Sequence, residues 1–251
     1  MTIIDDTELP AAKASAASNL RAQYAVLWSA PVVALILLVL YVAFPGFFPP
    51  LSPTMPVNEV ADFYKTNRPM VLFSMQGFNL CGILIVPFLS LIMAQLLRGS
   101  SQSHIFAFSY LTAVVAGMTM LTLSSIFFSV AAFHPGRDPN LVQVLHDLAW
   151  ITFVAPVGMT VGQLVMLALA IYFDRSREPV FPKWVAHYAL VTGILMAPAA
   201  LSAVFQSGPF AWDGFISFWV RNIAYATFLI VMFFVLRTTL ARQVRNEGLA
   251  Q

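Results

Sequence analysis

Six runs of about twenty or more mostly apolar residues, at 25–44, 69–97, 105–133, 147–173, 184–206 and 215–240, leave this chain few ways to fold. Runs of that length match the thickness of a bilayer's hydrocarbon core, where only helices and closed barrels satisfy every backbone N–H and C=O internally. The expectation is an all-α fold, a polytopic membrane protein with a single six-transmembrane-helix bundle over 21–245. Residues 1–20 are polar, rich in Ala and Ser, and lack the basic start of a secretory signal, so they read as a flexible cytoplasmic tail ahead of a retained first helix. Of the 251 residues, 59% are hydrophobic and 10% charged. Soluble domains average roughly 45–50% and 25%. The net charge is only +2 and the basic residues are scattered, which leaves no footprint for nucleic acid. The expected partner is the lipid bilayer itself.

Orientation follows from Lys and Arg in the connections. With the amino terminus inside, the cytoplasmic side collects Lys13, Arg21, Arg98, Arg175, Arg177, Lys183, Arg237, Arg242 and Arg245, against Lys65, Arg68 and Arg137 outside. Nine against three places both termini in the cytoplasm. The outer connections are the less ordinary ones. FPGFFPPLSPTMPVNEVADFYKTNRP (44–69) begins with prolines that favour extended backbone, then offers Asn58 as the cap of a short helix, which makes the loop a lid or a rigid linker. In 134–150, Asp138 before Pro139 has the pattern of a helix start. QSGPFAWDG (206–214) reads as a Gly/Pro turn with an interfacial Trp212. No internal repeat is evident.

The last run contains a charge, Arg221, in SFWVRNIAY (217–225), at a cost of roughly 2.5–3.5 kcal/mol near a bilayer's centre. Ser217, Arg221 and Tyr225 recur every four residues, so this face, with Asn222 beside it, should look into the bundle. At 1.5 Å per residue Arg221 lies about 9 Å below the start of its helix. Asp147, next to His146 at the outer mouth of helix 4, is the acidic residue at comparable height, and an Arg221–Asp147 pair would neutralise both. Gln76 and Asn79, three apart on helix 2, could satisfy further guanidinium protons. Thr119, Thr122, Ser125 and Ser129 form a hydroxyl stripe on helix 3. The cluster is either a buried staple or snorkelling arginine, or the lining of an outward-facing polar pocket between helices 2, 3, 4 and 6.

Other chemistry is sparse. Four histidines lack the close pairs of di-iron boxes, and His134 and His146 with Asp138 or Asp147 are separated by a loop that imposes no ligand geometry, so no metal and no cofactor are expected. The single cysteine, Cys81, excludes an internal disulfide and reads as a small hydrophobe. No G-x-S-x-G, H-E-x-x-H, Walker or G-x-G-x-x-G element occurs. GMTVG (158–162) would let another helix approach closely. Pro31, Pro87, Pro156 and Pro198 predict kinks in helices 1, 2, 4 and 5.

EPVFPKW (178–184) and GPFAWDG (208–214), with FHPGRDP (133–139) and HDLAW (146–150), resemble strings in a group of uncharacterised bacterial six-span membrane proteins, P-V-F-P-[KR]-W and G-P-F-A-W-[DN]-G in the same order. The resemblance covers about Phe44 to Trp219. It implies a multi-pass protein of the bacterial inner membrane and carries no activity or ligand.

The functional expectation is a non-catalytic protein that binds or helps to move a small hydrophobic molecule, with Arg221, Asp147, His146, Gln76, Asn79, Asn222 and Tyr225 as candidate ligand-binding residues and no catalytic ones. The alternatives are a membrane-embedded enzyme using His146 and Asp147 as acid and base, with Arg221 as electrostatic stabiliser, or an accessory subunit that packs against other membrane subunits.

Overall fold

Six helical spans are long and apolar enough to cross a membrane: Ser15–Ala43, Arg68–Leu96, His104–Phe133, Pro139–Tyr172, Lys183–Ala203 and Phe215–Asn246. The computed structural model describes residues 8–246 and, from Ser15 on with the exception of Ser101, their side chains. Its α-helices are α1 (Glu8–Ala43), α2 (Val57–Thr66), α3 (Arg68–Cys81), α4 (Val86–Leu96), α5 (His104–Phe133), α6 (Pro139–Val154), α7 (Gly158–Tyr172), α8 (Lys183–Met196) and α9 (Arg221–Asn246). The described residues contain no strand beyond one isolated bridge, Phe47 to Pro50. Helix α1 starts at Glu8, so the part of the expected tail from residue 8 to 20 is helical, and residues 1–7 lie outside the described chain.

Proline explains three of the interruptions. It lacks the N–H of the helical ladder and its ring clashes with the carbonyl four residues back. Span 2 accordingly passes through a 3₁₀ turn at Gly82–Ile85 just before Pro87. Span 5 tightens to 3₁₀ over Ala197–Ala203, around Pro198. Span 4 breaks outright at Ala155–Val157, where the Val157 N–H bonds the Ala155 carbonyl at 2.7 Å instead of continuing the α ladder. Pro31 leaves α1 unbroken. The sixth span opens with a π-helical stretch, Phe215–Val220, that no proline announces.

Helix α5 is the hub, packed on α3, α4, α6 and α7; α7 meets α8, α8 meets α9, and α1 closes the bundle against α3, α4 and α9. The end that carries 44–67 and 206–214, the loop end, is filled by rings: Phe44, Phe47, Phe128, Trp150 and Phe218 are fully buried. Their contacts are edge-on or tilted, as for Phe128 on Trp150 at 5.2 Å and 87°. Such edge-on and tilted pairs contribute about 0.5–1.5 kcal/mol each beyond the area they bury.

The loop segments fold down onto this core. Helix α2 starts at Val57 with Pro56 at its cap position, two residues ahead of the expected Asn58 cap. Trp212 is buried against the protein, and its Nε1–H donates to the Leu51 carbonyl at 2.8 Å. In the 208–214 turn Gly208 has φ +81°, and a Cβ on Gly214 would stand 2.5 Å from the carbonyl oxygens of Gly208 and Pro209. Both glycines are therefore required by the turn. The Pro209 carbonyl accepts from the N–H groups of Ile216 and Ser217, and the Phe210 carbonyl from the Ser217 hydroxyl, which ties the turn to the π-helical stretch. Asp138 caps α6 as its sequence implies, accepting from the Asn140 N–H at 2.8 Å. The GMTVG glycines do not mediate close packing within the chain, since a Cβ on Gly158 or Gly162 would meet nothing within 4 Å.

At the opposite end Asp174 organises the connection after α7. It accepts from the backbone N–H of Ser100, Ser176 and Val180 and from the Ser176 hydroxyl. Partial burial pushes its carboxyl up, but these donors together outweigh it and hold the carboxyl below the usual range.

Candidate functional site

The break in span 4 determines where Arg221 goes. In an unbroken helix the carbonyls of Phe153 and Val154 would accept from the N–H groups of residues 157 and 158. Pro156 prevents this, and both carbonyls would be left orphaned inside the bundle. The guanidinium of Arg221 takes them. Its Nη1 donates to Phe153 O at 2.8 Å and to Val154 O at 3.1 Å, its Nη2 donates to Asn222 Oδ1 at 3.1 Å, and its carbon lies 4.7 Å from the centre of the Phe153 ring. A cation is favoured at a helix carboxyl end by the macrodipole, and over an aromatic face by the ring quadrupole. Arg221 is only 8% exposed, so it is a buried cap and not a snorkelling side chain.

The expected Arg221–Asp147 pair does not form. Asp147 accepts from Gln143 Nε2 at 3.0 Å, one turn back on its own helix. Six residues separate it from Phe153, about 9 Å along the axis. The guanidinium, held at the break by carbonyls, is correspondingly deeper.

Beside the cap lies a cavity of about 140 Å³. Arg221, Asn222 and Tyr225 of α9 line it, with Tyr41 of α1, Thr160 and Gln163 of α7, and Thr152 of α6. Its apolar wall comes from Val114, Met118 and Leu121 of α5 and Met196 of α8. From Thr152 to Gln163 it follows span 4 for about 16 Å. Gln163 donates to the Tyr110 hydroxyl at 3.4 Å. One formal positive charge and no carboxylate stand in this wall.

Of the seven candidate residues, three line the cavity: Arg221, Asn222 and Tyr225. Gln76 and Asn79 do not, and span 2 contributes nothing to the wall. Gln76 instead donates to Ser129 at 3.0 Å. The hydroxyl stripe on α5 is spent on its own backbone: Thr119, Thr122, Ser125 and Ser129 donate to the carbonyls of Val115, Met118, Thr122 and Ser125. The pocket therefore lies between spans 1, 3, 4, 5 and 6, below the mouth where the polar inventory had placed it. Thr160, Gln163 and Tyr41 escaped that inventory. The signal for the first two was a polar pair three residues apart, just past Pro156, in an otherwise apolar run.

His146 belongs to a second polar cluster, at the loop end. It is 0% exposed, its Nδ1 is 2.9 Å from the Tyr64 hydroxyl of α2, and the rings of Trp150 and Trp212 lie 6.4 and 5.9 Å away. Burial, and secondarily the charge of Asp147, push the Tyr64 hydroxyl well above its ordinary range. At neutral pH that hydroxyl keeps its proton, and it donates to Nδ1 or accepts from Nδ1–H according to the imidazole tautomer. Nε2, Trp150 Nε1 and Gln143 Oε1 are buried without a hydrogen-bond partner among the described residues. Adjacent residues of a helix do not face one another, and His146 and Asp147 follow this rule: they bond to different partners, Tyr64 and Gln143. The acid–base dyad expected of an enzyme is thus not assembled, and Arg221 is a helix cap some way below it. Among the described residues no three His, Cys, Asp or Glu side chains come together as a metal site.

No family model, curated protein or solved structure matches this chain.

Proposed function

We propose that this chain is a non-catalytic multi-pass protein of a bacterial inner membrane, with both termini cytoplasmic, that binds or helps to move a small, mostly hydrophobic molecule in the cavity beside Arg221. The observation that carries the reading is a buried guanidinium in the wall of a 140 Å³ cavity whose other walls are largely apolar. Pockets for small molecules combine an apolar lining with a few convergent polar groups. Discontinuous helices that meet at such a point are a recurrent way to build binding sites within a bilayer. The nine-to-three bias of basic residues supports the orientation.

The test is retention of a small molecule through purification in mild detergent, read by native mass spectrometry. Gly117 lines the cavity, and a Cβ there meets only ordinary contacts, 3.7 Å to Met159 Cβ and 4.0 Å to Thr160 Oγ1. Gly117→Leu should fill the space without touching the Arg221 cap. The wild-type protein is expected to carry a small molecule that the variant lacks. A wild-type preparation with nothing bound, or equal retention by both proteins, would sink the reading.

A further inference from the structure

We infer that the ligand of this cavity is a small monoanion of the carboxylate class, with a body about the size of one benzene ring. The inference rests on the reading of the cavity as a binding site and names the chemistry it selects.

The wall of the cavity is short of negative charge. Arg221 contributes one positive charge, no acidic side chain lines the cavity, and Asp147 is occupied by Gln143. The carbonyl end of α6 offsets only part of this, since a helix terminus is equivalent to roughly half an elementary charge. A buried charge short of its counter-charge is costly, and an anion in the adjoining space would restore the balance. The guanidinium is also incompletely used: both Nη nitrogens carry the contacts, and Nε carries none among the described residues.

The other side of the same break adds donors. Helix α7, fifteen residues long, begins there, and its first turn has N–H groups with no acceptor inside the helix and no side-chain cap. Val157 and Thr160, at and just after this start, line the cavity. A guanidinium and the positive end of a helix thus converge on one space, and the Thr160 and Tyr225 hydroxyls add two more donors. This set favours an anionic oxygen over a neutral carbonyl, because charge-assisted hydrogen bonds are roughly twice as strong as neutral ones.

Size follows from volume. An apolar cavity of about 150 Å³ accommodates benzene, and this one is close to that at about 140 Å³. Met118, Leu121 and Met196 supply adaptable, polarisable walls for a ring or short chain.

Benzoate and benzamide separate charge from shape, being nearly the same size. Their binding to the detergent-purified full chain would be measured by titration calorimetry at neutral pH, with Gly117→Leu as the blocked reference. Benzoate is expected to bind at least tenfold more tightly than benzamide to the wild type, and neither to bind the variant above micelle background. Equal binding of both, lost in Gly117→Leu, would overturn the anionic assignment and leave the pocket standing. No binding of either would overturn both the charge and the size assignment, and the pocket would then stand or fall on the retained molecule. Benzoate binding that survives in Gly117→Leu would place the anion outside this cavity and also overturn the inference.

Discussion

Arg221 and Pro156 are expected to depend on each other, and a double-mutant cycle measures by how much. In Arg221→Met the carbonyls of Phe153 and Val154 lose their donor, at about 1–3 kcal/mol for each buried acceptor left unpaired, hence roughly 2–6 kcal/mol together. Against this, removing a guanidinium from the apolar interior relieves roughly 2.5–3.5 kcal/mol. The two contributions largely offset, so the single change by itself does not discriminate. In a Pro156→Ala background residue 156 regains its N–H, the ladder can run through the break, and the N–H groups of Val157 and Gly158 can take the two carbonyls. The relief of charge appears in both legs of the cycle and cancels, whereas the carbonyl penalty appears only where Pro156 is present. The coupling should therefore be at least about 2 kcal/mol, near the upper part of the range seen for residues in direct contact. Reversible unfolding by SDS in mixed micelles, followed by tryptophan fluorescence, gives the four stabilities. If the two changes add within about 0.5 kcal/mol, the guanidinium is not serving as the cap of a proline-broken helix and the argument fails.

Three further outcomes follow from the geometry. Tyr64→Phe strands the buried His146 Nδ1 and should cost about 1–3 kcal/mol in the same unfolding assay, with no comparable loss when His146 has already been replaced by Leu. Gly214→Ala puts a methyl against the carbonyls of Gly208 and Pro209, so Tm should fall by several degrees, and an unchanged Tm would show that the turn can relax. Asp174 has its carboxyl held below the ordinary value of about 3.9, so it contributes stability that is complete above that pH and is lost as pH falls through its lower folded value. Asp174→Asn should flatten the acid limb of the stability profile below about pH 4 and leave the shape above it unchanged.

What was legible in the chain and what was not divides along one line. Properties carried by runs of residues could be read directly: six apolar segments became six spans, Asp138 and Pro139 became a helix start, and Pro87, Pro156 and Pro198 marked real departures from the α ladder. Partnerships could not, because they depend on which backbone groups are left unpaired in three dimensions. A search for Arg221's partner among side chains leads to Asp147, the acidic residue at matching height. The partners are two carbonyls, which no side-chain inventory contains, and the clue to them was a proline sixty-five residues away. The same blindness affected the π-helical stretch Phe215–Val220, whose cause is a turn locked by Gly208 and Gly214 through the Pro209 carbonyl and no feature of its own sequence.

Three other arginines serve backbone carbonyls in the same way. Arg68 donates to the carbonyls of Ala132 and Phe133 at the end of α5, Arg137 to that of Val130, and Arg242 to those of Pro179 and Val180. In each case a planar fork of donors closes a place where the backbone has run out of its own N–H groups. The caps of Arg68 and Arg137 sit at the end of α5 and that of Arg242 on the connection after α7, where water could substitute for them. Arg221 is the exception, because the helix end it caps lies inside the bundle and was created by Pro156. A terminal cap needs no other reason to exist, whereas a continuous helix with no arginine would have satisfied the same carbonyls at less cost. The broken helix and its guanidinium go together in this chain, and what the pair creates that a continuous helix would not is a cationic cavity between the spans.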